Sequence, residues 1–157
     1  MRIAPARSAA EREACFDIRR AVFIDEQAIP EAEEWDAADE IATHFLAIGP
    51  EGPAGTARLI PDGTVAKIGR VAVAKPHRGT GLGLALMEHL LDHARRNGFA
   101  SAALDAQLQA IGFYARLGFA AEGPEFDDGS GILHRKMRLD LAGSDAVASP
   151  ILSNRAS

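Results

Sequence analysis

The chain has 157 residues, 47% of them apolar, and its 22 acidic side chains outweigh 17 basic ones to leave a net charge of −5. A chain of this length buries roughly 70% of its unfolded surface, enough for one core and not two, so one domain is expected over residues 1–142. The acidic balance is the opposite of the footprint that a phosphate backbone requires, which argues against nucleic acid; no stretch resembles a signal peptide or reaches the ~18 apolar residues of a membrane helix, so no membrane partner and a cytoplasmic location are expected.

In chain order, residues 3–6 read as a short strand. Ser8 with Glu11 three residues on has the spacing of a capping box. Ala14, Ile18 and Val22 then recur every four residues as one buried helical face, with Arg12, Arg19 and Arg20 pointing elsewhere. The only cysteine, Cys15, lies in this helix; it excludes an internal disulfide and reads as a small buried hydrophobe. The helix is expected to fade near Asp25. Residues 25–40 hold eight acids and no Lys or Arg, with Pro30 and the only tryptophan, Trp35. That is a loop or short-helix segment of strong negative potential.

Strand-like runs follow at 44–48, 55–60 and 65–74, separated by turn signals at 49–52 and 61–63. Short connections imply antiparallel neighbours. Residues 82–97 carry Leu86, Met87, Leu90, Leu91 and Ala94 at helical spacing, with Arg95 and Arg96 in the last turn and Gly98 as the stop. Residues 99–107 read as a strand, 110–117 as a short helix, and 119–122 and 134–141 as the last strands. The order β-α-β-β-β-α-β-α-β-β, with the short helix that 25–40 could add, predicts an α/β (α+β) fold with a mixed, mostly antiparallel sheet of six to seven strands and about four helices on both faces. Residues 143–157 are small, polar and without periodicity, which predicts a flexible tail.

The chemistry concentrates where the strand ending Val71, Ala72, Val73 gives way to Lys75, Pro76, His77, Arg78, Gly79, Thr80, Gly81, Leu82 and Gly83. Glycines at a helix start let a ligand approach the backbone, and the unpaired N–H groups with the positive end of the dipole favour a phosphate. Lys75 and Arg78 add to that preference. A Walker loop would need Gly-Lys followed by Ser or Thr, which is absent. The Rossmann fingerprint has a different glycine spacing, although Asp105 lies about 20 residues past Gly83. A tight helix entry without a ligand is the plain alternative.

Arg78, Gly81 and Gly83 match in register the pyrophosphate loop of the GNAT superfamily of N-acetyltransferases, Arg or Gln, x, x, Gly, x, Gly or Ala, and the chain resembles that family at this point. The run Gly112-Phe113-Tyr114-Ala115-Arg116-Leu117-Gly118-Phe119 is similar to its aromatic helix and following strand, and with the element order the likeness spans residues 2–141. The resemblance implies acetyl-CoA as cosubstrate. It places the pantetheine arm along residues 68–73, with contacts at Val71, Ala72 and Val73, and the pyrophosphate on Arg78, Gly79, Thr80, Gly81, Leu82 and Gly83. It also implies Tyr114 as general acid facing the departing sulfur, within the coenzyme site. Many members carry an asparagine near the end of the strand at 99–107, where this chain has Asp105 and Gln107.

Amide formation from a thioester needs a neutral amine, a stabilised oxyanion and a protonated leaving thiolate. Glu26, His44 and Asp105 stand as candidates for the base, each expected at a strand end or in the acidic segment. The acids at 25–40 would attract a cationic amine. The leading expectation is an N-acyltransferase working by direct attack on a small-molecule or peptide amine, since Cys15 lies far from either motif. A non-catalytic acyl-CoA-binding sensor is the rival, and a synthase acylating an amino-acid-derived signal is a third reading. The acceptor and the oligomeric state stay open, a homodimer being the commonest symmetric assembly. No metal is expected: His89 and His93 stand four apart, but without His-Glu-x-x-His or a third ligand.

Overall fold

The computed structural model describes residues 1–141; the tail expected at 143–157 lies outside the described residues. The elements are β1 (Arg2–Pro5), α1 (Ala9–Arg19), α2 (Glu31–Glu34), β2 (Thr43–Gly49), β3 (Gly52–Asp62), β4 (Val65–Val73), α3 (Leu82–Arg96), β5 (Ser101–Gln107), α4 (Ile111–Arg116), β6 (Ala120–Asp127) and β7 (Leu133–Asp140). The seven strands form one sheet in the order β1-β2-β3-β4-β5-β7-β6. β1–β2, β2–β3, β5–β7 and β6–β7 are antiparallel, whereas β4–β5 is parallel. This is the mixed, mostly antiparallel sheet with four α-helices expected from the element order. The chain divides into two compact units, Met1–Ile60 with Ile68–Leu90, and Pro61–Lys67 with the chain from Leu91 onward.

In the first unit the Ser8 hydroxyl accepts from the Glu11 N–H at 3.1 Å, the cap expected at the start of α1. The Glu11 carboxylate completes the turn one residue earlier than a capping box would, accepting from the Arg7 N–H at 2.7 Å. α1 buries Cys15 and Ile18, and burial pushes the Cys15 thiol up. Helical structure ends at Glu26, next to the Asp25 where it was expected to fade; its last part, Arg20–Glu26, is a π-helical turn with the Gln27 N–H on the Val22 carbonyl at 3.2 Å, and this keeps Val22 and Phe23 buried. Arg19, expected off the buried face, is only 1% exposed. The reason is that distant acids neutralise it, as described below.

β3 runs longer than expected and comes close to α3. A Cβ built at Gly55 would lie 2.9 Å from Leu86 Cδ1 and 3.2 Å from the Ala72 carbonyl oxygen, so any side chain there would require the Leu86 methyl and the Ala72 carbonyl to give way. α3 buries Leu82, Leu86, Met87 and Leu90 in this unit.

In the second unit Leu91 and Ala94 of α3 are buried. The helix stops as expected at Gly98, which adopts φ of 82°, and the Phe99 N–H returns to the Ala94 carbonyl at 3.1 Å. β5 lies between the first residues of β4 and the full length of β7, with Ala102, Leu104 and Ala106 buried. β6 extends to Asp127 instead of ending near 122, because an irregularity between Glu122 and Phe126 absorbs Gly123 and its φ of 78° without ending the pairing to β7.

Candidate functional site

β4 pairs with β5 only over Val65, Ala66 and Lys67. Residues 68–73 have no β5 partner, so that edge offers N–H and C=O groups in the spacing that an extended arm can join as an added strand. Ala72 is buried, while Val71 and Val73 are half-buried; by strand alternation these two share the face opposite Ala72. The strand closes with the Ala74 N–H on the Ala54 carbonyl at 2.8 Å.

A 3₁₀ turn at Lys75–His77 follows, then Gly79 and Gly81 with φ of 77° and 86°. A Cβ at either glycine would meet nothing within 4 Å, so glycine is required there by backbone conformation and not by crowding. The Ala85 N–H reaches the Gly81 carbonyl at 3.1 Å as the first bond of α3. Gly81 is therefore the cap, and the N–H groups of Leu82, Gly83 and Leu84 have no partner inside the helix. The Thr80 hydroxyl donates to the His77 carbonyl at 2.6 Å. The turn from Arg78 to Gly83 thus presents oriented N–H donors at the positive end of a 15-residue helix.

Arg78 folds back over the strand end. Its Nε donates to the Val73 carbonyl at 3.0 Å and its Nη2 to Glu26 Oε1 at 2.5 Å. The hydrogen bond from Arg78 holds the Glu26 carboxyl below its usual range. Glu26 thus stands in the same unit as the glycine turn, at the end of the π-helical turn. His44 is 4% exposed on β2. Its Nε2 lies 2.8 Å from the Asp39 carbonyl, and burial pushes its pKa down, so the ring is neutral and donates as Nε2–H.

Behind β4 lies a set of charges that no local pattern announces. Arg19, Arg58 and Arg70 face Glu34, Asp36 and Asp39, three guanidiniums against three carboxylates. Arg19 donates to Glu34 Oε2 at 2.9 Å and to Asp39 Oδ1 at 2.8 Å. Arg58 donates to Asp36 Oδ1 at 2.7 Å and to Asp39 Oδ1 at 2.8 Å. Burial alone would raise Asp39, but the hydrogen bonds from Arg19 and Arg58 outweigh it and hold the carboxyl at about 2. Burial outweighs the guanidiniums at Glu34, whose carboxyl is pushed up. The partners lie 15 to 36 residues apart, which is why a reading of local spacing misses them.

In the second unit, Tyr114 is 9% exposed on α4, with Phe113 and Phe119 edge-on at 5.0 and 6.0 Å. Burial pushes its phenol up to about 12, so it is a neutral hydroxyl at pH 7. Asp105 is exposed on β5, opposite Lys136 of β7. Among the described residues there is no group of three or more His, Cys, Asp or Glu placed to hold a metal, and no helix long and apolar enough to cross a membrane.

The sequence profile of the acetyltransferase (GNAT) family matches residues 12–119. An uncharacterized Bacillus subtilis protein, YyaT, is 38% identical over 128 residues, covering 80% of this chain and 86% of its own. An uncharacterized N-acetyltransferase of the same organism, YjcF, is 34% identical over 126 residues, covering 80% and 89%. Among solved structures, an acyl-CoA N-acyltransferase from Pseudomonas aeruginosa superposes with a TM-score of 0.77 at 28% identity, covering 87% of this chain and 96% of that one. With the strand that parts from its neighbour, the glycine turn and the uncapped helix start, the chain belongs to the GNAT acetyltransferase family.

Proposed function

We propose that the protein transfers an acetyl group from acetyl-CoA to a primary amine by direct attack. The observation that carries this reading is the row of N–H groups at Leu82, Gly83 and Leu84 without a partner inside the helix, reached through two left-handed glycines from a strand that pairs with β5 only over its first residues. A pyrophosphate is the group such a helix start holds, and an extended amide-containing arm is what such an edge accepts. The nucleotide so bound carries its thiol end back along residues 68–73. The family to which the chain belongs supports acyl transfer as the reaction class.

In this reading the amine nitrogen attacks the thioester carbonyl carbon, the C–S bond breaks, and the nitrogen proton passes to a base or to water. The Tyr114 phenol, neutral at pH 7, supplies the proton taken by the departing thiolate. An alkyl amine near its ordinary pKa of ~10.4 is mostly charged at neutral pH, so removing its proton is part of the cost of the reaction. Glu26, His44 and Asp105 stay the candidates for that role, Glu26 only after its Arg78 partner is drawn to a phosphate. The acceptor is a small-molecule or peptide amine.

A thiol-release assay with acetyl-CoA across amine classes, run beside calorimetry with coenzyme A, tests the proposal. Binding together with amine-dependent thiol release is expected. Tight binding without release on any amine would favour the acyl-CoA sensor, and no binding at all would remove both readings.

A further inference from the structure

His134 is a histidine of β7, only 7% exposed, that no step of the proposed reaction uses. It pairs with Gln107, the last residue of β5, from which the chain turns through Leu108–Ala110 into α4 and Tyr114. All of these residues lie in the second unit. Cross-strand partners share a face, so His134, Gln107, Lys136 and Asp105 stand on the side of the sheet opposite to the buried Leu104, Ala106 and Met137. Glu122 of β6 joins them as the partner of Lys136.

The imidazole Nδ1 lies 2.7 Å from the Ile132 carbonyl oxygen. A carbonyl only accepts, so Nδ1 carries the proton and Nε2 of the neutral ring carries the lone pair. That nitrogen lies 3.7 Å from Asp128 Oδ2. The turn between β6 and β7 holds the carboxylate in place. Asp128 Oδ1 accepts from the Ser130 N–H at 3.0 Å and from the Ser130 hydroxyl at 2.6 Å. Asp127 Oδ1 accepts from the Gly129 and Gly131 N–H groups at 2.9 and 3.0 Å. On β6, Phe126 stacks on the imidazole with ring centroids 6.1 Å apart. One nitrogen fixed by a carbonyl, a lone pair on the other and a carboxylate beside it make an oriented base, because a proton arriving at Nε2 meets a negative charge. His44 differs: Nε2 is engaged by the Asp39 carbonyl, and its lone-pair nitrogen Nδ1 is buried without a partner among the described residues. Asp105 is exposed and faces Lys136.

We infer that His134 is a catalytic residue whose Nε2 takes the proton of the acceptor amine, with the Ile132 carbonyl fixing its tautomer and Asp128 balancing the imidazolium. This rests on the function proposed above. The ammonium gives one proton to Nε2 and becomes the neutral nucleophile. Its nitrogen bonds to the thioester carbon, the C–S bond breaks, and the thiolate takes the Tyr114 proton. The second proton lost by the nitrogen restores the phenol through water, and the imidazolium releases its own to solvent.

The test is thiol release from acetyl-CoA to an alkyl amine by the full chain between pH 7 and 9, with coenzyme A affinity and melting followed on the same samples. In His134→Asn the amide can still donate to the Ile132 carbonyl, but nothing stands at the place of Nε2. At pH 7 its kcat/KM should fall by ~10²–10³, with the coenzyme A Kd within about threefold of wild type. Raising the pH supplies neutral amine about tenfold per unit, so the deficit should close toward pH 9. Asp128→Asn keeps the Oδ1 bonds to Ser130 but removes the charge and turns an N–H toward Nε2. It should cost about tenfold at pH 7, with the same recovery. Wild-type rates in His134→Asn, or a deficit that stays constant from pH 7 to 9, overturn the inference. Should His134→Asn lack a cooperative melt, the same two outcomes in Asp128→Asn overturn it. Absence of thiol release by the wild type on every amine sinks the proposed function and this assignment with it.

Discussion

Tyr114 and Arg78 were both legible as residues of interest, yet their surroundings were not. The phenol is pushed up to about 12 by burial against two aromatic rings, so it keeps its proton through the pH range of an assay. Tyr114→Phe is expected to lower kcat by ~10² or more, as for a lost proton donor, with coenzyme affinity nearly unchanged; steady-state rates equal to wild type would remove Tyr114 from the role. Arg78 was expected to meet phosphate, and here it is engaged by Glu26. An exposed ion pair is worth little, so Glu26→Gln should free Arg78 and tighten coenzyme A binding by about two- to fivefold in calorimetry. An unchanged Kd would show that Glu26 does not compete for the guanidinium.

At the scale of elements, the helices and strands form where periodicity and caps place them, and the departures have local causes. α1 continues as a π-helical turn that keeps Val22 and Phe23 buried. β6 outlasts its Gly123-Pro124 breaker because a bulge accommodates both. The approach of β3 to α3 depends on one missing side chain. Gly55→Ala would press a methyl against the Ala72 carbonyl and Leu86, at a cost of about 1–3 kcal/mol. The melting temperature should fall by several degrees without loss of the cooperative transition, and an unchanged melt would mean that α3 can shift to make room.

Over the whole molecule, charge behaves differently from its distribution along the chain. Five of the eight acids at 25–40 are in ion pairs: Glu26, Glu31, Glu34, Asp36 and Asp39. Any pull on a cationic amine would thus fall to the remaining three. Such pairs are weak evidence for stability, since removing charges from water offsets much of their attraction. Their clearer signature is pH dependence. His44 is held neutral by burial, so below its ordinary value of ~6.5 the unfolded chain takes a proton that the fold refuses, and stability falls. Asp39, held at about 2 against an ordinary 3.8, contributes above pH 4 and loses that contribution, about 2 kcal/mol, as pH falls toward 2. Glu34, raised by burial, has the opposite sign: its ionised form costs more in the fold, and acid relieves that cost. Thermal melts should therefore be flat only near pH 7 to 8, decline below about 6.5, fall more steeply from 4 to 2, and decline again at alkaline pH, where the unfolded chain ionises the thiol of Cys15 and the phenol of Tyr114 that burial keeps protonated in the fold. A flat profile from 7 to 5 would show that His44 titrates alike in both states.

The sequence by itself determined what is local: the order of strands and helices, the glycine turn with its uncapped helix start, and the aromatic helix carrying Tyr114. Hydrophobic periodicity, caps and left-handed glycines act over a few residues, so they can be read from a few residues. Only the tertiary structure decided the burial of Arg19, the pairing of Arg58 and Arg70 with acids 19 to 36 positions away in their shared cluster, and the left-handed backbone of Arg70. Charges remote along the chain pair only once the strands have brought them together, and nothing in the letters Gly-Arg-Val tells which residue will carry the strain.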